Sequence, residues 1–374
     1  STMTPLGENN MPIRVDGTDY IVNRYDAGRL SNYALYFESA CYYEVLDFTS
    51  LAAELNSRIF DGKGSNVLRA TWSYQNEPRD YPGDLFPTVD ILEPYTDPNG
   101  GTQYGMFTTF GVDPITPMNV RRVSIFNITD EVTYTIGRHN LVGGLQFESD
   151  HIINGYTPGG TGWYLFDSWD SFTSGAEPIA FMISHANLDD PTATAYPTMN
   201  IYNASLYMQD EMELSAYFKL TAGMRLELPV ISYPYDNSNK EFASIAKAHP
   251  ESSFAGLSTA DLPATHIDIS PRAGFNWDIT HDRRLVLRGG TGLFTGRIPN
   301  VWLVGAVGNS NVIQYQYIAN LRTGASVVPF ATDRSDIINS LYAGSGFQRQ
   351  DLSAPANPTI IDRNLRMPTS WKSS

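Results

Sequence analysis

The side chains able to do covalent chemistry are too scattered in this sequence to assemble a reaction. Gly290 and Gly292 open something like a dinucleotide-binding loop, but Thr295 stands where the third glycine belongs, and no strand–helix–strand context surrounds it. Glycines there suit strands that pack closely or bend. Ser345 lies between Gly344 and Gly346 without the spacing of a nucleophile elbow, so the stretch reads as a flexible loop. The six histidines show no zinc-ligand spacing and read as surface or loop residues. Asp16-Gly17-Thr18-Asp19 and Asp97-Pro98-Asn99-Gly100 could offer oxygens to calcium, yet both are ordinary turn sequences. A single cysteine, Cys41, leaves no intrachain disulfide framework. No catalytic, cofactor-binding or metal-ligating set can be assigned, so an enzyme is not the expectation.

What remains is the chemistry of binding. Gln209, Glu211, Arg225, Arg272 and Arg288 fall on the polar side of alternating segments. In a barrel they would line the lumen; a solvated or self-paired ladder has the same pattern. Trp163, Tyr164, Trp169, Tyr233 and Tyr235 fall in long connections. Their amphipathic rings suit them to hold a ligand or to pack their own loops.

The elements that position these residues are marked by period-two alternation. In Phe218 to Leu228, Leu220, Ala222, Met224, Leu226 and Leu228 share one face; Lys219, Thr221, Gly223, Arg225 and Glu227 share the other. Asn203 to Met212 alternates likewise, with Asp210 interrupting its apolar face. Similar hairpins cover Leu51 to Gln75, Ile125 to Asp150 and Pro271 to Phe294. Short turns are predicted near Gly62, Arg138, Ala216 and Asp282, with about eight to ten antiparallel strands in all.

The charge follows the connections. The net charge is −15 and the pI about 4.7, which argues against nucleic-acid binding. Glu77 to Met118 carries seven acids and one base, Asp150 to Asn200 six acids and no base, and Pro229 to Asp268 five acids and two bases. These three segments account for the whole excess. They are long connections between hairpins, and compact domains seldom carry several of that length. Outer-membrane barrels do, on the extracellular side only, with short periplasmic turns opposite. Charged residues make up only 17% of the chain, and aromatics such as Trp72, Tyr74, Phe147, Trp277 and Phe294 lie near strand ends, as in an interfacial girdle. Alternation alone also fits a soluble carbohydrate-binding β-sandwich with its apolar face inside. The connection lengths and the low charge favour the membrane.

Ile269 to Pro299 reads ISPRAGFNWDITHDRRLVLRGGTGLFTGRIP and resembles a barrel hairpin of TonB-dependent outer-membrane receptors, especially the Oar-like group. Ala204 to Pro229, Tyr134 to Glu148 and Trp72 to Leu92 are similar to further hairpins of that family, in order. The resemblance implies an all-β, antiparallel transmembrane barrel of about 22 strands in the bacterial outer membrane. It implies a receptor that imports a substrate, with lipid around it, a plug domain of the same parent protein inside it, and the TonB complex as energy source. Residues 1–374 would then be an incomplete barrel segment, without signal peptide, plug or the closing C-terminal strands. A structural or adhesive barrel is the alternative from the same fold.

Overall fold

The computed structural model describes residues 10–15, 18–23, 43–80, 84–96, 98–320, 325–349, 353–355 and 357–374. Cys41, Asp16, Gly17 and Asp97 lie outside these. A hairpin of β1 (Asn10–Val15) and β2 (Thr18–Asn23) opens the chain. Then come β3 (Tyr43–Glu44), β4 (Asp47–Ile59), β5 (Gly64–Asp80), β6 (Thr88–Thr96), β7 (Thr102–Phe110), β8 (Val120–Ile136) and β9 (His139–Gly155). β10 (Trp163–Phe166), α1 (Trp169–Thr173), β11 (Ala180–Ala186), β12 (Thr198–Ser215), β13 (Phe218–Ser232) and α2 (Lys240–Ala248) follow. The last elements are β14 (Asp268–Asp278), β15 (Val286–Thr295), α3 (Asn300–Gly308), β16 (Gln314–Asn320), α4 (Arg334–Leu341) and β17 (Thr369–Ser373).

Ten strands form one antiparallel sheet, running β17-β15-β14-β13-β12-β9-β8-β5 with β4 and β3 beyond β5. Among the described residues no ladder joins β17 to β4. The short turns fall where alternation places them: β4 to β5 through Phe60–Gly62, β8 to β9 through Gly137 and Arg138, β12 to β13 through Ala216 and Tyr217, and β14 to β15 around Asp282. Asp61 at φ 51° and Gly62 at φ 83° supply the left-handed backbone that so tight a reversal needs. Every long connection leaves from the opposite edge. β5, β8 and β9 have 17 residues and β12 has 18. About 10 residues of a tilted strand cross a bilayer core, so these strands continue beyond it as a rim.

The two faces of the sheet differ as the sequence predicts. Cross-strand rows such as Leu145–Leu206–Leu226–Ile269 and Met208–Met224 hold apolar side chains on one face. Leu145, Leu206 and Met208 are 60%, 51% and 68% exposed. On the other face Glu148, Arg225 and Glu227 crowd at 14%, 23% and 18%. That contrast is the signature of a curved sheet, apolar side chains splaying on the convex face and polar ones converging on the concave face. Among the described residues no second sheet seals the convex side: Met224, Phe275, Trp277, Leu285 and Leu287 are all exposed. A sandwich is thereby set aside. Phe294 differs from the expected girdle, since its register places it with Gly292 and Arg272 on the concave face. Asp130 and Asp210 interrupt the convex face. Asn66 donates to Asp130 across the strands, and His139 Nδ1 lies 2.7 Å from Asp210.

The long connections are structured, which their polarity did not announce. They build a second, five-stranded sheet, β16-β11-β10-β6-β7, with β10 and β6 parallel. Its core is Val89, Ile91, Tyr164, Phe166, Phe181 and Ile183, closed by Val328, Ile337 and Ile338 around α4. We call this the cap. A fourth long connection, 296–368, carries six bases against four acids and ties the acidic ones together. Arg297 reaches Glu148 and Asp150 on β9, and Arg363 holds Asp261 at 2.7 Å. Arg334 donates to the carbonyl oxygens of Gly160, Ser184 and Thr192.

Candidate functional site

The register brings all five sequence-nominated polar residues to the concave face. Gln209 pairs with Gly223, which pairs with Arg272; Glu211 pairs with Thr221 one pleat away. Arg288 lies opposite Asn276, which lies opposite Lys219. Arg225 is the best fixed: it donates to Gln146 Oε1 at 2.6 Å and Ser205 Oγ at 2.7 Å, lies 3.1 Å from Glu227 and covers the Tyr207 ring. The Tyr207 hydroxyl in turn donates to Glu131 at 2.7 Å. The hydroxyl end of its ring lies over Gly144, where a Cβ would stand 2.5 Å from the hydroxyl oxygen. Around Arg225 the polar groups are therefore cross-linked between neighbouring strands.

Toward the long-connection edge the same face turns apolar. Val123, Ile125, Ile152, Met199, Ile201 and Ile231 occupy concave positions there, which would be an error over a wet lumen. The chain covers them itself. After β15 it folds inward, and Ile298 together with Leu303, Val304 and Ala306 of α3 packs onto them. Tyr233 fixes the helix by donating to the Leu303 carbonyl at 3.1 Å. So α3 sits in the mouth of the concave face.

Between α3, the rim of β5, β8 and β9, and the edge strand β16 lies a cleft of about 580 Å³. Its wall is rich in amides and hydroxyls, including Asn154, Tyr156, Asn309, Gln314 and Gln316, with Arg79 and Arg121. Both arginines are paired, to Glu44 and Glu77. A second cavity, of about 100 Å³, lies under the inward fold between Asp150, Asn203, Asp268 and Leu303.

Asp90 and His185 are two of the cap's perturbed groups. Asp90 is buried and accepts from Thr109 Oγ1 at 2.7 Å and Trp163 Nε1 at 2.8 Å. Loss of water pushes its carboxyl up to about 6, against the two hydrogen bonds. His185 is buried between Ala186 O and the Tyr342 hydroxyl, each at 2.7 Å, and burial lowers it to about 4.

The loop aromatics divide. Trp163 and Tyr164 are buried in the cap, where Trp163 Nε1 donates to Asp90. Tyr233 and Tyr235 stack with ring centroids 6.5 Å apart, and their hydroxyls are engaged by Leu303 O and Thr198 N. Trp169 alone of the five is exposed. Tyr156 and Gln314 line the cleft without having been singled out. The signal missed was an apolar pattern on both faces at Val123 to Ile128 and Met199 to Ile201, which marks strand ends covered on both sides. Among the described residues no three carboxylate, histidine or cysteine side chains stand close enough to share a metal, and Pro98 to Gly100 form the β6–β7 turn. No described helix is long and apolar enough to cross a membrane.

Two solved structures are similar in part. The outer membrane transporter YddB from Escherichia coli matches 80% of this chain and 31% of its own, at 11% identity and a TM-score of 0.48. The copper transporter OprC matches 69% of this chain and 31% of its own, at 12% identity and 0.39. The chain thus spans about a third of the length of each. No curated protein matches it. The model of the outer membrane beta barrel domain matches residues 40–373, and with a convex apolar face, a concave polar one and turns segregated by length, the chain belongs to that family.

Proposed function

We propose that the chain is part of the barrel of an outer-membrane receptor that captures a solute outside the cell and imports it with energy delivered through TonB. The observation that carries this reading is the cap: every long connection leaves one edge of the sheet, and three of the four line a 580 Å³ cleft above the concave face. A cavity of that size suits a small solute. In this reading the cap faces the cell exterior and Leu206, Met208 and Phe275 face lipid. A plug domain of the same parent protein rests against Gln209, Glu211, Arg225, Arg272 and Arg288. Further strands complete a ring of about 22. The mechanism is gated binding without covalent chemistry: the cleft holds the solute, and α3 with the plug controls its descent. The test is uptake of a panel of labelled solutes by cells making the parent protein, with and without TonB. Import of at least one solute that disappears with TonB is the expected result. A protein on the surface that imports nothing in either strain would be a structural or adhesive barrel.

A further inference from the structure

The cleft beside α3 is bordered by the open edge of a sheet. Among the described residues β16 pairs with β11 alone. Asn187 N donates to Ile313 O at 2.8 Å, just beyond the register pair Ala186–Gln314. That bond sets the phase of the ladder. Tyr315, Tyr317 and Ala319 exchange backbone hydrogen bonds with β11, while the N–H and C=O groups of Gln314, Gln316 and Ile318 point away from it. Those same three residues line the cleft. From Gln314 to Ile318 the edge runs about 13 Å, at about 3.3 Å per residue. Gln314 is buried at one end, where its amide donates to Tyr156 O at 3.1 Å, and Gln316 and Ile318 are exposed.

Open edges are normally blunted by lysine, proline or a bulge, because a bare row of backbone groups templates another strand. β16 reads QYQYIAN and has none of these, and its register to β11 is unbroken. The edge is sheltered by its place in the cleft, with α3 and the rim of β8 and β9 in the same wall. That wall suits a neutral guest. Among the described residues just two charged side chains line it, Arg79 and Arg121, and both are ion-paired. Its other polar lining is mainly amide, with Asn154, Asn309 and Asn311 among them. Amides donate and accept as a peptide unit does.

We propose that the cleft binds an extended peptide with uncharged side chains, which adds to β16 as a sixth strand of the cap sheet. Backbone pairing replaces the water on the outward groups of Gln316 and Ile318, and alternate side chains of the guest meet the amide wall. A glycan offers hydroxyls in many directions but no donor and acceptor repeating along a strand, so the edge favours the peptide. About four residues match its length. Naming the imported solute as a peptide rests on the import reading; the site itself does not.

The experiment is a ligand-detected NMR titration of the full chain in detergent with acetyl-Thr-Val-Thr-Val-amide. Two relatives of the probe carry N-methyl groups, one on both threonines and one on both valines. A strand added to an edge turns alternate N–H groups toward it. One methylated peptide should therefore bind about tenfold more weakly, the effect of lost backbone hydrogen bonds, and the other about as well as the probe. Gln316→Pro removes an N–H that the ladder to β11 does not use and should weaken the probe by a similar factor. Gln316→Ala keeps that N–H and should leave binding close to native. The methylated peptides need no variant, so the test stands even if the proline variant misfolds. Equal responses to the two methylated peptides, preference for maltotetraose, native binding by folded Gln316→Pro, or no binding of the probe would each overturn the site. None of these outcomes bears on TonB-dependent uptake, so the two readings fail separately.

Discussion

The cap holds two buried titrating groups whose effects on stability run in opposite directions, and a single substitution should expose this. Asp90 has an ordinary value of 3.8 and lies at about 6 in the fold. Between those values the folded cap binds the proton that the unfolded chain has lost, so stability falls as pH rises from about 4 to about 6. His185 has an ordinary value of 6.5 and lies at about 4. Over that window the unfolded chain binds the extra proton, so stability rises with pH. At about 1.36 kcal/mol per factor of ten, each contribution is worth about 3 kcal/mol. Both groups are 1% exposed, so solvent screening removes little of it. The two slopes nearly cancel, and the native cap should melt at almost constant temperature across the window. Asp90→Asn mimics the protonated acid: its amide can still accept from Trp163 and meet Thr109. That variant should be more stable at neutral pH by about 3 kcal/mol and lose the gain on acidification, as His185 is left to act alone. His185→Gln should show the reverse slope. Thermal unfolding in detergent, followed through the near-ultraviolet dichroism of buried Trp163 and Tyr164, reads both. Parallel curves for the native chain and Asp90→Asn between about pH 4 and pH 7 would refute the reasoning.

Leu206→Arg places a cation on the convex face and should cost about 2–4 kcal/mol in bilayer-folding titrations, whereas Gln209→Arg on the concave face should cost far less. Gly144→Ala drives a Cβ into the Tyr207 ring and the Asp130 carbonyl; a loss of about 1–3 kcal/mol is expected from urea midpoints. Trp163→Ala should destabilise the cap by about 3–5 kcal/mol, and exposed Trp169→Ala by less than about 0.5 kcal/mol, both read as melting shifts.

What the sequence made legible is what a local period can encode. A strand's two faces follow from alternate residues, so the common face of Arg225, Arg272 and Arg288 and the four tight turns could be written down from the chain. Register between neighbouring strands was not among these; in the structure a slip by one residue would turn every apolar face inward. The cap was not legible, because its strands pair across great separations. β10 pairs in parallel with β6 and β11 pairs with β16, and neither contact leaves a local mark. Trp163 and Tyr164 looked like binding residues because an aromatic in a polar segment has the same local appearance whether it is offered to a ligand or buried under a helix such as α4.

The inward fold of α3 lies between these cases. Its own sequence, Asn300 to Gly308, is apolar all round and shows no amphipathic face. An element of that kind is stable only when covered on several sides. The strands it covers carry the complementary mark. Val123 and Ile125 alternate with Phe126 and Ile128, so both faces of β8 are apolar near its rim. A barrel strand with lipid on one side and a wet lumen on the other cannot keep that pattern. The two anomalies account for each other only if the helix enters the mouth, where Leu303 and Ala306 are 0% and 1% exposed. Once it is there, Asp150 and Asp268 lie beneath it out of reach of water. The burial of these two carboxylates is therefore a consequence of closing the mouth, and any change that swings α3 outward would hydrate them.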